Sequence, residues 1–561
     1  MKKSDHFVKS GQTKFWSIEM RRILSLCLLL PFLFLSACTE NETASGSYTV
    51  TFNSDGGTNI LPRTVEEGNA VTKPNNPAKI DHAFLGWFTE TEFVTEYDFN
   101  KPVTSNLTLY AKWERLWRIT FNSDGGTAFP FQNRHNNGLA SEPNDIPVKR
   151  NFIFLGWFLG ETKYDFNTPV TSDITLLAKW EALVINSNLG GINELSGLTA
   201  MEYFTQMGLY LGWNAGNSLD APGSETAWVP HPLSQELFDS VKALGFNMVR
   251  IPVTWHNATS RPIGPAPDYT LNADRLNRVA EVAEMAYNAG LVAIINVHHD
   301  TSWLSLQSAR DNPERRTQIT AQYKRVWEQI AEHFKDYGDW LIFECFNELH
   351  SDRNYGHGNI ALLEFEILNE WTQVFTDTVR ESGGNNTERF LVIKPYYARP
   401  HHVIDPVTEE IVDRFNLPND PTPKKQIVSV HYYDPEPFAL NGAGPEWGTD
   451  VQKKTISDKF APFGRVLVRG MGIPVIMGES GAVLQLYPDD PARQALAHAN
   501  RVAYMAHLCS VARDNGIVPV YWDNGTITAT GEKFGLIARD TGAPYSANEA
   551  EILQAMYNAV Q

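Results

Sequence analysis

WLIFECFNE, residues 340–348, is an apolar run closed by a carboxylate, Glu348, and its length and bounding glycine suit a strand buried on both faces. IPVIMGES, residues 473–480, has the same form and carries Glu479, 131 positions further on. A carboxylate at the C-terminal end of a parallel barrel strand has no packing task, because that rim is where the connecting loops build a site. A single such glutamate is as often a solvated loop residue or half of an ion pair. Two of them in one series suggest acid and base work.

Six more runs flank these two. They are LYLGWNAG at 209–216, NMVRIPVTW at 247–255, LVAIINVHH at 291–299, FLVIKPYY at 390–397, IVSVHYYD at 427–434 and VPVYWDNG at 518–525. Helical periodicity fills the intervals, as in PLSQELFDSVKALG at 232–245 and YKRVWEQIAEHFKDYG at 323–338, with glycine as the stop signal. Eight strand-and-helix units over 190–561 predict an α/β fold, a (β/α)8 barrel with enlarged loops. A doubly wound sheet is the competitor, and this stretch lacks its glycine-rich phosphate turn.

The remaining length holds smaller pieces. TFNSDGGT at 51–58 returns at 120–127, FLGWF at 84–88 returns at 154–158, and YDFN, PVTS and AKWE recur in the same order at offsets of 67 to 70 residues. Short alternating runs broken by Asp-Gly-Gly predict two small β-rich modules, at 48–114 and 117–181. Both resemble the Listeria-Bacteroides repeat, a β-grasp-like module of surface proteins, which implies a spacer or adhesive role. Trp87 and Trp157 sit inside FLGWF and are expected in the cores rather than on sugar platforms.

Ahead of the repeats, Met20-Arg21-Arg22 precedes a 13-residue apolar run, Ile23 to Leu35, too short to span a bilayer and suited to a secretory signal. It ends Leu35-Ser36-Ala37-Cys38, which resembles the lipobox of bacterial lipoproteins. By that resemblance residues 1–37 are a signal peptide, Cys38 carries lipid, 38–47 is a polar tether, and residues 1–19 precede the true start. A lipid-anchored monomer of the bacterial cell envelope, at the outer membrane or cell surface, is expected. Cys345 and Cys509 then remain, and read as small buried hydrophobes. Against 47 Lys and Arg stand 65 Asp and Glu, a formal charge of -18, so no nucleic-acid partner is expected and a neutral polymer fits better. Fifteen Trp suit either core packing or stacking on sugar rings.

If the barrel forms, one basin receives Asn217 after the first strand, Arg250 on the second, and His298 and His299 after the third. Asn347 and Glu348 follow the fourth, His431 and Tyr433 the sixth, Glu479 the seventh and Trp522 the eighth. With GWNAGNSLD, GFNMVRIPVTW, IINVHHD, Phe-Asn-Glu at 346–348, VHYYDP and MGES in order, residues 190–561 closely resemble glycoside hydrolase family 5, nearest its endo-β-1,4-glucanase and xyloglucanase branch. VIKPYYARP at 392–400 departs from that branch's usual fifth-strand loop.

The resemblance implies hydrolysis of β-1,4-glucan by double displacement, with Glu348 as acid/base and Glu479 as nucleophile. It implies that Arg250 and Tyr433 contact Glu479, that Asn347 bonds the sugar 2-hydroxyl, and that His431 tunes Glu348. His298 would bind the sugar in the cleaved subsite and Trp522 would floor it, with Trp303 as a candidate distal stacking residue. No metal or cofactor is expected, since the His298-His299 and His401-His402 pairs lack ligand spacing. A β-mannanase on the same rim and a non-catalytic glycan-binding surface protein are the alternatives.

Overall fold

The structure is a computed structural model that describes residues 46–143, 146–147, 149, 152–182, 189–351, 360–528 and 532–561. The expected signal peptide, the lipobox and Cys38 lie outside the described residues. The chain divides into two compact units, one ending at Glu114 and one beginning at Arg115.

Within the second unit, eight parallel strands close into a barrel in chain order. They are β1 Gly212–Ala215, β2 Met248–Ile251, β3 Val292–Asn296, β4 Leu341–Glu344, β5 Leu391–Ile393, β6 Gln426–Tyr432, β7 Val475–Ser480 and β8 Ile517–Asp523. β1 pairs with β2 on one side and β8 on the other, which completes the closure. Every strand position except Gln426 is buried, so burial runs continuously along each strand instead of alternating.

The helices form where capping residues stand ahead of an apolar stripe. Ser234 accepts from Leu237 N–H at the start of Gln235–Ala243, and Asn272 does the same for Ala273–Asn288. Asn312 followed by Pro313 opens Pro313–His333, and Thr449 with Gln452 makes a capping box ahead of Asp450–Phe463. A short helix, Ala200–Gln206, presses Tyr203 and Phe204 against Met248, Ile294, Val392 and Val520 and plugs the barrel's N-terminal mouth. The opposite rim stays open for loops.

The fifth unit departs from the regular pattern. Between β5 and β6 there are only 3-10 turns, Tyr396–Ala398 and Pro400–His402, and no α-helix. Six prolines fall in 394–425, at 395, 400, 406, 418, 421 and 423, each removing an N–H donor and crowding the preceding turn.

The two repeats are built alike. In the first, Ser47–Asn53 runs parallel to Leu107–Arg115 in a four-stranded sheet; in the second, Trp117–Asn122 runs parallel to Ile174–Ala182 in a five-stranded one. Trp87 and Trp157 are 1% and 2% exposed, and each meets a phenylalanine, Phe52 or Phe121, edge to face at 5.0 Å. Both are core residues. Cys345 and Cys509 are buried free thiols, pushed up to about 12 by burial.

Candidate active site

The rim surrounds a cleft of ≈ 620 Å³ into which Glu348, Glu479, His431, Tyr433, Asn347 and Trp522 all open. β4 ends at Glu344, so Asn347 and Glu348 stand on the loop above it, whereas Glu479 belongs to β7 itself. Two register shifts aim Glu479: β6 slips against β7 between Val430 and His431, and β7 slips against β8 between Met477 and Ser480. Bulges of this kind re-aim a side chain at a barrel rim. They bring Glu479 opposite His431.

Arg250, fully buried on β2, organises the floor. Its Nη1 donates to Glu479 Oε1 at 2.8 Å and to Asn214 Oδ1 at 3.0 Å. Nη2 donates to Glu344 Oε1 and to Asn347 Oδ1, both at 2.7 Å. Because the guanidinium takes Asn347 Oδ1, the amide N–H groups of Asn347 are left to face the cleft. Tyr433 completes the set, its hydroxyl donating to Glu479 Oε2 at 3.1 Å.

Glu348 has a different neighbourhood. His431 Nδ1 lies 2.5 Å from Glu348 Oε1 and 3.5 Å from Glu479 Oε2, and oxygens of the two carboxyl groups come within 4.8 Å of each other. Burial pushes both acids up, and Glu348 reaches about 8, raised next by the charge on Glu479. Arg250 pulls Glu479 back down through a direct bond that Glu348 lacks. The charge balance agrees. Ionised Glu344 and Glu479 offset Arg250 and Lys394, so a third carboxylate would be an unbalanced buried charge. Glu479 ionises first and Glu348 keeps its proton.

The nitrogen chemistry of the histidines follows from their partners. Asn296 Oδ1 accepts from Val253 N–H at 3.0 Å, so its amide N–H groups point to Glu344 at 2.9 Å and to His298 Nδ1 at 3.2 Å. His298 Nδ1 therefore accepts and Nε2 carries the proton. Burial, then His299, holds His298 neutral, well below the ordinary histidine range. Its ring stacks on Trp522 at 5.9 Å with planes 2° apart.

A second cluster, Asp220 with His298 and His299, also brings candidate ligand atoms within 4.8 Å. Asp220 already accepts backbone N–H from Asn217 at 3.0 Å and Ser218 at 2.8 Å. In the Glu348–His431–Glu479 group three of the four carboxylate oxygens are taken by His431, Arg250 and Tyr433, beside the cations Arg250 and Lys394. Neither donor set suits a metal ion.

Residues 214–527 match the family model described as cellulase, glycosyl hydrolase family 5. The chain belongs to glycoside hydrolase family 5. Residues 48–112 and 117–179 match the Listeria-Bacteroides repeat domain. Endoglucanase A of Paenibacillus barcinonensis is 35% identical over 363 residues, covering 59% of this chain and 84% of that protein. The structure of a GH5-4 broad-specificity endoglucanase from Bacteroides salanitronis is 34% identical with a TM-score of 0.57, covering 66% of this chain and 97% of that one. A family 5 xyloglucanase from Paenibacillus pabuli is 32% identical with a TM-score of 0.54, covering 63% and 99%. This family 5 domain is an enzyme that hydrolyses glycosidic bonds in polysaccharide.

Asn217 and His299 also line the family 5 cleft, Asn217 with a left-handed backbone at φ 59°. Trp303 does not. It is 5% exposed, packs in the main core, and gives its indole N–H to Asp300 at 2.9 Å, so it has no face for a sugar. Sequence reading missed Glu344, Lys394, Trp228 and Tyr397. Glu344 and Lys394 carried a usable signal, a charge inside or directly after an apolar strand run, which only a strong partner allows. Trp228 and Tyr397 line the cleft from irregular loops, where no periodicity marks them.

Proposed function

We propose that this family 5 enzyme cleaves internal β-1,4 linkages of glucan, including xyloglucan or mixed-linkage glucan, with retention at the anomeric carbon. Glu348 gives its proton to the glycosidic oxygen as the bond from that oxygen to C1 breaks, while a Glu479 oxygen bonds to C1. Water then attacks C1, returns a proton to Glu348 and frees Glu479. The observation that carries this reading is two carboxyl groups with oxygens within 4.8 Å across one cleft, of which Glu479 alone is bonded to Arg250. Inverting enzymes need about 6.5 to 9.5 Å to admit a water. Asn347, its N–H groups facing the cleft, is assigned to the sugar 2-hydroxyl, His298 Nε2–H to the same ring, and Trp522 to its floor.

The relatives named above, two endoglucanases and a xyloglucanase, support glucan as the backbone. Reducing-end release should be fastest on carboxymethyl cellulose, xyloglucan or mixed-linkage glucan. Faster release from glucomannan would replace this reading with a mannanase, and proton NMR showing an α-anomer as first product would end the retaining assignment. A Glu479→Ala protein should lose all cleavage; activity at the parent rate would overturn the nucleophile assignment, and would revive the glycan-binding reading if it traced to a contaminating hydrolase.

We further propose that the enzyme is a lipid-anchored monomer of the bacterial envelope, attached through Cys38. The support is the Met20-Arg21-Arg22 charge, the 13-residue apolar run and Leu-Ser-Ala-Cys at 35–38. Cys38→Ala should move the protein from the membrane fraction to the soluble one.

A further inference from the structure

Lys394 directly follows β5 and is 1% exposed. Its Nζ hydrogen-bonds His431 Nε2 and lies 3.6 Å from Glu344 Oε1. His431, 3% exposed, turns its other nitrogen to Glu348. A row Glu344, Lys394, His431, Glu348 thus crosses the floor of the site, from three strands or their ends, β4 supplying both carboxyl groups. An ammonium has donors only, so His431 Nε2 accepts and the ring proton sits on Nδ1, from which it is donated to Glu348 Oε1.

We propose that Lys394 is a positioning residue for the acid–base step: it fixes His431 in the tautomer that presents Nδ1–H to Glu348. The proposal rests on Glu348 being the acid/base. In the other tautomer Nδ1 would be an acceptor. Protonated Glu348 would then donate to His431 instead of to the glycosidic oxygen, and the leaving group would depart without its proton. With Nδ1–H as donor, the Glu348 proton is directed away from the histidine, and the carboxylate left after transfer finds a hydrogen bond waiting.

Charge adds to geometry. Glu348 faces Glu479 on β7, Lys394 after β5, Arg399 in the loop that follows, Arg250 on β2 and His431 on β6. Lys394 faces Glu344, Arg250, Glu479, Glu348 and His431. Tyr433 faces both Glu479 and Glu348, and Glu532 faces Glu479. Lys394 lowers both Glu348 and Glu479, so its removal lets both acids hold protons to higher pH.

The test uses the full chain and two aryl β-cellobiosides. A 2,4-dinitrophenolate leaves without a proton and phenolate does not, and kcat/KM reports the first bond cleavage alone. Lys394→Met should lower kcat/KM on phenyl β-cellobioside ~30-fold or more, a part of the ~10²–10⁴ that general acid catalysis supplies, and at least ~10-fold less on the dinitrophenyl compound. Both limbs of its pH profile should move to higher pH. Equal losses on the two substrates with an unmoved profile would reduce Lys394 to a structural residue and overturn the proposal. So would no loss on either. Should Lys394→Met fail to fold, Lys394→Leu, which also lacks a donor for His431 Nε2, is read the same way. Glu348→Ala separates the two layers: if it leaves the ratio between substrates unchanged, the acid assignment itself falls. If it raises the ratio and Lys394→Met does not, only the role of Lys394 falls.

Discussion

Arg250 donates to Glu479, Glu344, Asn347 and Asn214 at once, so the ionisation of one carboxyl and the orientation of two amides are fixed by one side chain. Glu348 has no such cation bonded to it and keeps its proton to about 8. Activity should therefore fall as pH rises through about 8, where the acid is lost, and fall on the acid side as Glu479 takes up a proton. A kcat/KM profile on a neutral glucan checks both limbs. The same displacement has a stability consequence of known sign. A carboxyl raised above its unfolded value binds its proton more tightly in the folded state, so stability declines between the ordinary carboxylate range and about 8. Glu348→Gln removes that decline, because the amide never ionises. It should melt close to the parent near pH 5 and ~1–2 °C above it near pH 9, by calorimetry at both values, since about 1 kcal/mol moves a domain of roughly 370 residues by about that much. The side chain is 26% exposed, so cleft water moderates the effect.

At the scale of elements, the bulge that turns Glu479 into the cleft depends on Gly478. A Cβ there would lie 2.5 Å from Ser429 Oγ and 3.3 Å from His431 Nε2. Gly478→Ala should push β6 from β7, cost about 1–3 kcal/mol as an overpacked core does, and lower kcat at least ~10-fold by displacing His431. Ser429 Oγ has no hydrogen-bond partner. Ser429→Ala should then be nearly neutral alone and restore part of both losses in the double variant, which a four-point cycle of melting and kcat would show. Such a device cannot be read from residues in a line. FECFNE and VIMGES announced the strands and their carboxylates because burial on both faces makes the runs continuous, but register slips leave no periodicity behind. The missing fifth helix, by contrast, is legible in the six prolines of 394–425. Glu344 and Lys394 were legible as charges at apolar strands, yet only the closed barrel reveals that Arg250 and His431 are their partners. Trp303 went the other way: a tryptophan near a rim motif looks alike in sequence whether it faces a sugar or the core.

For the whole molecule, a net charge of -18 and a chain carrying two copies of one module raise the question of what the repeats contribute to catalysis. The first repeat, within the unit that ends at Glu114, has a core of its own: Val50, Phe52, Val71, Trp87, Val103, Leu109 and Ala111 pack together. Trp87 is 1% exposed, so no polysaccharide reaches its face without unfolding the module. Its loss should therefore act on that module's stability and nowhere else. Trp87→Ala removes the ring that Phe52 and Phe84 meet edge to face, and should cost the repeat about 3–5 kcal/mol. A module of this size has little more stability than that to lose. Calorimetry of the full chain should show one transition moved far down or abolished while the barrel's transition stays in place, with kcat on soluble glucan unchanged. A fall in kcat that tracks the repeat's unfolding would mean that the module takes part in catalysis, and its core would then be the wrong place to look for a purely local effect.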